Sequence, residues 1–148
     1  MIMCMHNMHL LIFISMRKHA SAENPYAAYQ YAQHLENPLY NNVKLSDATQ
    51  DGIYHYYNTA LTGFLKEQDS DSNLDGSILY KIGKIYYEGK GCEKDDEKAY
   101  EYFMKAADCK NKNAYYALGK TCSDKTSPHY DIIRAEQYYL KAYEEYYD

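Results

Sequence analysis

Six histidines, four cysteines and six methionines are the side chains of this 148-residue chain whose types invite chemistry, so their spacing is the first thing to weigh. Met1, Met3, Cys4, Met5, His6, Met8 and His9 crowd the start of the chain, and thioether, thiol and imidazole are the soft ligands that suit Cu(I). Their spacing matches no closed site geometry, and the segment is expected to be an apolar tail that is rich in methionine. Asp71-Ser72-Asn73-Leu74-Asp75-Gly76 matches the first half of a calcium-binding loop. The twelfth position of such a loop needs a bidentate glutamate and here holds Ile82, which leaves a polar linker ending in a helix cap. His6, His9, His19, His34, His55 and His129 are scattered along the chain. No Ser or Cys nucleophile sits in a strand–turn–helix context, and there is no glycine-rich phosphate loop. Asp95-Asp96-Glu97 is an acidic run explained by the start of a helix, where the dipole favours carboxylates. The expectation is no catalytic residue, no metal and no cofactor.

Composition bounds what positions these residues. A hydrophobic fraction of 46% with 25% charged residues is that of a globular chain, and the length suits one compact domain. The net charge of −5 argues against a dedicated nucleic-acid binder, which needs a basic footprint. Aromatic character is almost all tyrosine: 20 Tyr against three Phe and no Trp. The longest apolar run near the start, Leu10 to Ile14, is far short of the roughly 20 residues that span a bilayer. Arg17 and Lys18 follow that run, whereas a secretory signal places its positive charge before it. Residues 1–20 are therefore expected to form a tail or cap, with Met16 an alternative start, and residues 21–148 the folded domain. Cysteines this sparse are expected to be reduced and buried, in keeping with a cytoplasmic location.

Internal repetition carries the fold. Leu79–Ala107 and Tyr115–Tyr143 align without a gap at an offset of 36 residues, with eight identities in 29 positions: Tyr80/Tyr116, Gly83/Gly119, Lys84/Lys120, Asp95/Asp131, Ala99/Ala135, Tyr102/Tyr138, Lys105/Lys141 and Ala106/Ala142. A weaker copy lies upstream, where Ala27, Tyr31, Ala32 and Leu35 match Ile78, Ile82, Gly83 and Tyr86, and Tyr54 and Ala60 match Tyr100 and Ala106. Its halves need different offsets, which implies a longer internal loop near residues 37–46.

Each copy predicts two helices. In helix A of the second copy Ile78, Ile82, Gly83 and Tyr86 share one face, with Asp75 as N-cap. Helix B starts at the N-cap Asp95 and carries Ala99, Tyr102, Phe103, Ala106 and Ala107 as its apolar stripe. Asn24-Pro25 offers a cap and a proline at the first helical position. The expected helices lie near 25–36, 48–65, 76–88, 96–108, 113–123 and 131–147, with no strand. Small residues recur at matched sites, Ala32, Gly83 and Gly119 on helix A and Ala60, Ala106 and Ala142 on helix B. A glycine inside a helix costs about 1 kcal/mol relative to alanine, so its repetition implies a second helix crossing closely there.

The stretch Ile82-Gly83 through Tyr86, Gly89, Gly91, Asp95, Lys98-Ala99, Tyr102 and Lys105-Ala106-Ala107 resembles the Sel1-like repeat family, relatives of the tetratricopeptide repeats. The resemblance covers repeats at about 26–66, 76–112 and 113–148. Cys92 stands where the family prefers valine, and Lys125 and Ser127 replace the loop glycines Gly89 and Gly91 in the third copy. What it implies is an all-α fold, an α-solenoid of three helix–turn–helix repeats in a short right-handed superhelix, that binds another protein as a scaffold or adaptor and does no chemistry. A cysteine-rich branch of the family, reported to bind or hydrolyse β-lactams, is the rival; Cys92, Cys109 and Cys122 lack its paired spacing. A third alternative is an interaction module of a larger protein. In helical-repeat solenoids the A helices line the concave side, which makes Tyr29 and Gln33, Tyr80, Lys84 and Tyr87, and Tyr116 and Lys120 the expected partner-binding ladder, suited to an acidic and apolar peptide. The final helix, with Tyr138, Tyr139, Leu140, Tyr143, Tyr146 and Tyr147, is expected to be covered by a partner or by a second copy.

Overall fold

The computed structural model describes residues 2–21, 24–37, 50–70 and 74–147, and every regular element among them is an α-helix. In chain order these are α1 (Ile2–Ser21), α2 (Pro25–Glu36), α3 (Gln50–Glu67), α4 (Ser77–Glu88), α5 (Asp96–Asp108), α6 (Lys112–Ser123) and α7 (Ile132–Tyr147). Six match the expected helices within two residues. The seventh, α1, covers the residues expected to form a tail or cap. The chain divides into two compact units, Met1–Gly63 with Lys90–Cys92, and Phe64–Gly89 with Glu93–Asp148. The long loop expected near residues 37–46 lies outside the described residues from 38 onward.

Four helix starts obey the capping rule, in which a short polar side chain satisfies an otherwise unpaired N–H. Asn24 accepts from the Ala27 N–H at 3.0 Å, ahead of Pro25. Asp95 accepts from Lys98 at 2.9 Å, Asn111 from Ala114 at 3.1 Å, and Asp131 from Arg134 at 3.0 Å. The Lys98 N–H also holds the Asp95 carboxyl below the usual carboxylate range. The cap expected at Asp75 is displaced: Gly76 takes the N-cap position of α4 with φ 67° and no side-chain bond. Asp75 instead accepts from the Ser77 N–H at 3.0 Å, while its carbonyl receives the Asn111 side chain at 2.9 Å. Only glycine suits this turn, because φ is left-handed and a Cβ would sit 2.9 Å from the Ala106 carbonyl oxygen.

In the second unit the sequence repeat is a repeat of contacts. The Asp95 N–H donates to the Tyr86 carbonyl at 3.0 Å, and 36 residues later the Asp131 N–H donates to the Cys122 carbonyl at 2.9 Å. A Cβ at Gly83 would meet the Phe103 ring at 2.7 Å, and one at Gly119 would meet the Tyr139 ring at the same distance. The expected close crossings are therefore real, and each is an aromatic ring lying on a bare helix backbone. The two loops reach equivalent ends by different paths. Between α4 and α5, Gly89 and Gly91 turn with φ 65° and 72°. Between α6 and α7, Asp124 accepts from the Thr126 N–H at 2.9 Å and the Thr126 hydroxyl at 2.7 Å, and no described residue from 124 to 131 has positive φ.

Ile78, Ile82, Ile85, Ala99, Phe103, Ala106, Leu118 and Ala135 are among the buried residues of this unit. Ile85 takes the core place expected for Tyr86, which lies half-buried against Tyr102 with ring centroids 6.0 Å apart. In the first unit Phe13 of α1 is buried edge-on to Tyr31 and His34 of α2. Tyr31 and Tyr56 meet at 4.7 Å, and Ala32 and Ala60 are fully buried, as small crossing residues should be. The segment Lys90–Cys92 belongs to this unit because a Cβ at Gly91 would collide with the Asn58 backbone, and the Asn58 amide donates to the Gly91 carbonyl at 2.9 Å.

Candidate interaction surface

Helical spacing places Tyr80, Lys84 and Tyr87 on one stripe of α4, and Tyr116 and Lys120 on one stripe of α6. The two stripes converge. All five residues line one cleft of about 100 Å³, together with Glu88, Phe103 and Ala117. The Lys120 ammonium lies 5.4 Å from the centre of the Tyr87 ring, and Lys94 approaches the same ring at 5.6 Å. Tyr87 thus presents an electron-rich ring face to two cations, an arrangement that holds both lysines near the cleft. Lys84 reaches Glu88 at 3.9 Å, at the outer limit of an ion pair, and stays available to a stronger anion.

The members of this ladder differ in burial. Tyr116 is 61% exposed and Lys120 is exposed. Tyr80 is half-buried against Phe103, and that burial pushes its phenol above the ordinary tyrosine value. It forms the floor of the cleft more than its rim. Tyr29, expected on the binding ladder, is 7% exposed and packs edge-on to Tyr57 at 5.7 Å. Its ring is core in the first unit, whereas Tyr80 and Tyr116, which meet Phe103 and Tyr139 at the positions matching Tyr57, stay half-buried and exposed; Gln33 is exposed. Lys94 and Glu88 were missed, since each sits outside the repeated positions, and only their spacing from Tyr87 could have raised them.

A second, larger groove of about 430 Å³ runs between α6 and α7, lined by Lys112, Asn113, Tyr116, Tyr139, Ala142, Tyr143, Tyr146 and Tyr147. The Lys112 ammonium lies 4.7 Å from the Tyr146 ring centre. Tyr116 belongs to both concavities, so cleft and groove meet at one ring. Ala142, one of the expected small sites, is half-buried and forms part of this groove, whereas Ala106 is fully buried at the matched position.

Chemistry-bearing side chains are placed elsewhere. Among the described residues no three His, Cys, Asp or Glu side chains gather as a metal site. The side chains of Met1, Met3, Cys4, Met5, His6 and His9 lie outside the described residues, as do Asp71, Ser72 and Asn73 of the calcium-like stretch. Cys92, Cys109 and Cys122 are free thiols; Cys122 is buried, and burial pushes its thiol up, away from nucleophilic use. His129 stacks on Tyr100 at 3.8 Å and reaches Glu97 at 3.1 Å, a contact that ties the last loop to α5. Among the described residues no helix is long and apolar enough to cross a membrane. The chain matches no protein-family model and no curated protein.

Proposed function

We propose that this chain is a Sel1-like repeat protein, an α-solenoid of three helix pairs in a short right-handed superhelix, acting as a protein–protein interaction scaffold. Its partner is a peptide segment carrying acidic and aromatic or aliphatic side chains. The carrying observation is that repeated positions, Tyr80 with Tyr116 and Lys84 with Lys120, converge on one cleft beside Tyr87. Tyrosine supplies large contact area at low rotamer cost, and lysines beside it select a carboxylate. The contacts repeated at 36 residues favour the solenoid, and the proposed cytoplasmic location agrees with the free thiols at Cys92, Cys109 and Cys122.

The test begins with a displayed peptide library selected on the purified protein, followed by calorimetry of the best binder. Tyr116→Ala and Lys120→Glu should each weaken binding about tenfold or more with helicity unchanged, since both side chains are exposed. Selection without acidic–aromatic enrichment, or binding indifferent to both substitutions, would refute the reading. The β-lactam-hydrolysing rival is tested by a chromogenic β-lactam, which should not turn over.

A further inference from the structure

The cleft and the groove that meet at Tyr116 are joined by one ridge of α6. Lys112, Tyr116 and Lys120 follow one another at intervals of four residues, and all three are exposed. Four residues carry a helix about 40° past a full turn, so the ridge drifts around α6 as it climbs. Its ends therefore lean to opposite sides. The Lys112 ammonium lies 4.7 Å from the centre of the Tyr146 ring of α7, and the Lys120 ammonium 5.4 Å from that of Tyr87 of α4. Lys112 lines the groove, Lys120 lines the cleft, and Tyr116 lines both. The ridge is thus a cation, a ring and a cation in oblique line, about 12 Å from end to end along the helix axis. Among the described residues lining the groove none is acidic. Beyond Lys120, the Asp124 carboxylate is already engaged by the Thr126 N–H and hydroxyl. In the 36-residue register Lys112 matches Gly76, which the left-handed turn before α4 requires, so α4 carries no such ridge.

We propose that this ridge sets the register of the bound peptide: an extended segment with an acidic residue, an aromatic or aliphatic residue and a second acidic residue at alternate positions. The inference rests on the peptide-binding reading above and specifies its spacing. Side chains of an extended segment alternate in direction, so its first, third and fifth residues face the ridge while the second and fourth face solvent. Those three residues span four steps of about 3.3 Å, or about 13 Å, which suits an oblique track slightly longer than the axial rise. The two carboxylates meet Lys112 and Lys120, and the central side chain lies on Tyr116 and Tyr139, whose rings are 5.6 Å apart. A helical segment would need the same groups at four-residue intervals, and its body, about 10–12 Å across, would ride over a cleft of only about 100 Å³.

The test sequences the whole pool of peptides selected on the full chain, then measures the best binder by calorimetry. The pool should be enriched in two acidic residues four positions apart with an aromatic or aliphatic residue midway. Lys112→Glu should weaken the best binder about threefold or more, a modest loss because exposed charge pairs are individually weak. Orientation is read from a charge swap. Binding to the Lys112→Glu protein should recover when one of the peptide's two acidic residues is made lysine, and binding to Lys120→Glu only when the other is. Recovery also shows that both variants are folded. A pool with no acidic–aromatic enrichment overturns the peptide-binding reading and this inference with it. Enrichment at four-residue intervals, binding indifferent to Lys112→Glu, or swaps that recover nothing overturn the register alone and leave the peptide-binding reading standing.

Discussion

The repeated glycine beneath an aromatic ring makes two positions equivalent in sequence but unequal in cost, and alanine separates them. An alanine Cβ at position 83 would lie 2.7 and 2.8 Å from two Phe103 ring carbons and 3.2 Å from the Ala99 carbonyl oxygen. Phe103 is 2% exposed and hemmed in by the core, so its ring has nowhere to move. At position 119 the Cβ would lie 2.7 and 2.8 Å from two Tyr139 ring carbons, but Tyr139 is 36% exposed and can swing outward. Its hydroxyl makes a long contact with Ser123 at 3.3 Å, and its ring lies against the exposed Tyr116 at 5.6 Å. Replacing glycine by alanine inside a helix gains about 1 kcal/mol of propensity. Overpacking a closed site costs about 1–3 kcal/mol. Gly83→Ala should therefore lose about 1 kcal/mol net, and Gly119→Ala should stay within about 0.5 kcal/mol of the wild type. In a chain of this size the first is a fall of roughly 2–4 °C in melting temperature. Gly119→Leu outruns what a ring swing can absorb and should lose about 1–3 kcal/mol. Urea and thermal unfolding followed at 222 nm measure all three. A Gly83→Ala protein as stable as the wild type would refute the close α4–α5 crossing. Equal losses at 83 and 119 would refute the distinction drawn from ring exposure.

Other consequences are as direct. The backbone N–H of Lys98 lowers the folded pKa of Asp95, so its contribution is present above the unfolded carboxylate value and lost as pH falls through the lowered folded one. Asp95→Asn keeps a capping oxygen and should flatten that part of the acid limb of stability; an unchanged limb would refute the assignment. Thiol titration in denaturant without reductant should count four cysteines, and in the native protein Cys122 should react only as the unit opens. Fewer than four thiols would mean disulfides and favour the cysteine-rich rival.

Sequence patterns that are local or periodic were legible. The caps at Asn24, Asp95 and Asp131, the glycine crossings and the Tyr80–Lys84–Tyr87 stripe all follow from spacing within one helix or from the 36-residue register. What escaped depended on the neighbour. α1 has a helix-forming run with no cap in view, and its buried residues among those described are Phe13 and Ala20, set among exposed Met8, Leu11, Ile12 and Ile14. Ile85 and Tyr86 are adjacent on α4, and periodicity alone does not decide which turns inward. The stacked Tyr102 ring holds Tyr86 at the margin and leaves the core to Ile85. Tyr29 looked like Tyr80 and Tyr116 by register, yet Tyr57 closes over it. Asp75 looked like a cap, yet the left-handed Gly76 takes the cap position and the Asp75 carboxyl accepts from Ser77 beside it.

The abundance of tyrosine follows from the same crossings. A glycine or alanine lets a neighbouring ring lie flat on helix backbone, and the ring then reaches from core to solvent. Phenylalanine there leaves an apolar edge in water, whereas a phenol ends in a group that water or a neighbour satisfies. Tyr57 donates to Glu36 at 2.7 Å, Tyr138 to the Met104 sulfur at 3.2 Å, and Tyr102 to Gln68 at 3.3 Å. Where such a ring is only half covered, its remaining face is contact area, and lysines settle on it: Lys98 over Tyr86, Lys105 over Tyr102, Lys120 over Tyr87, Lys141 over Tyr115. Lys105 and Lys141 occupy one repeat position, although the rings they cover, Tyr102 on α5 and Tyr115 on α6, do not. The packing rule that closes each helix pair therefore also lays out, along its solvent edge, alternating aromatic faces and cations.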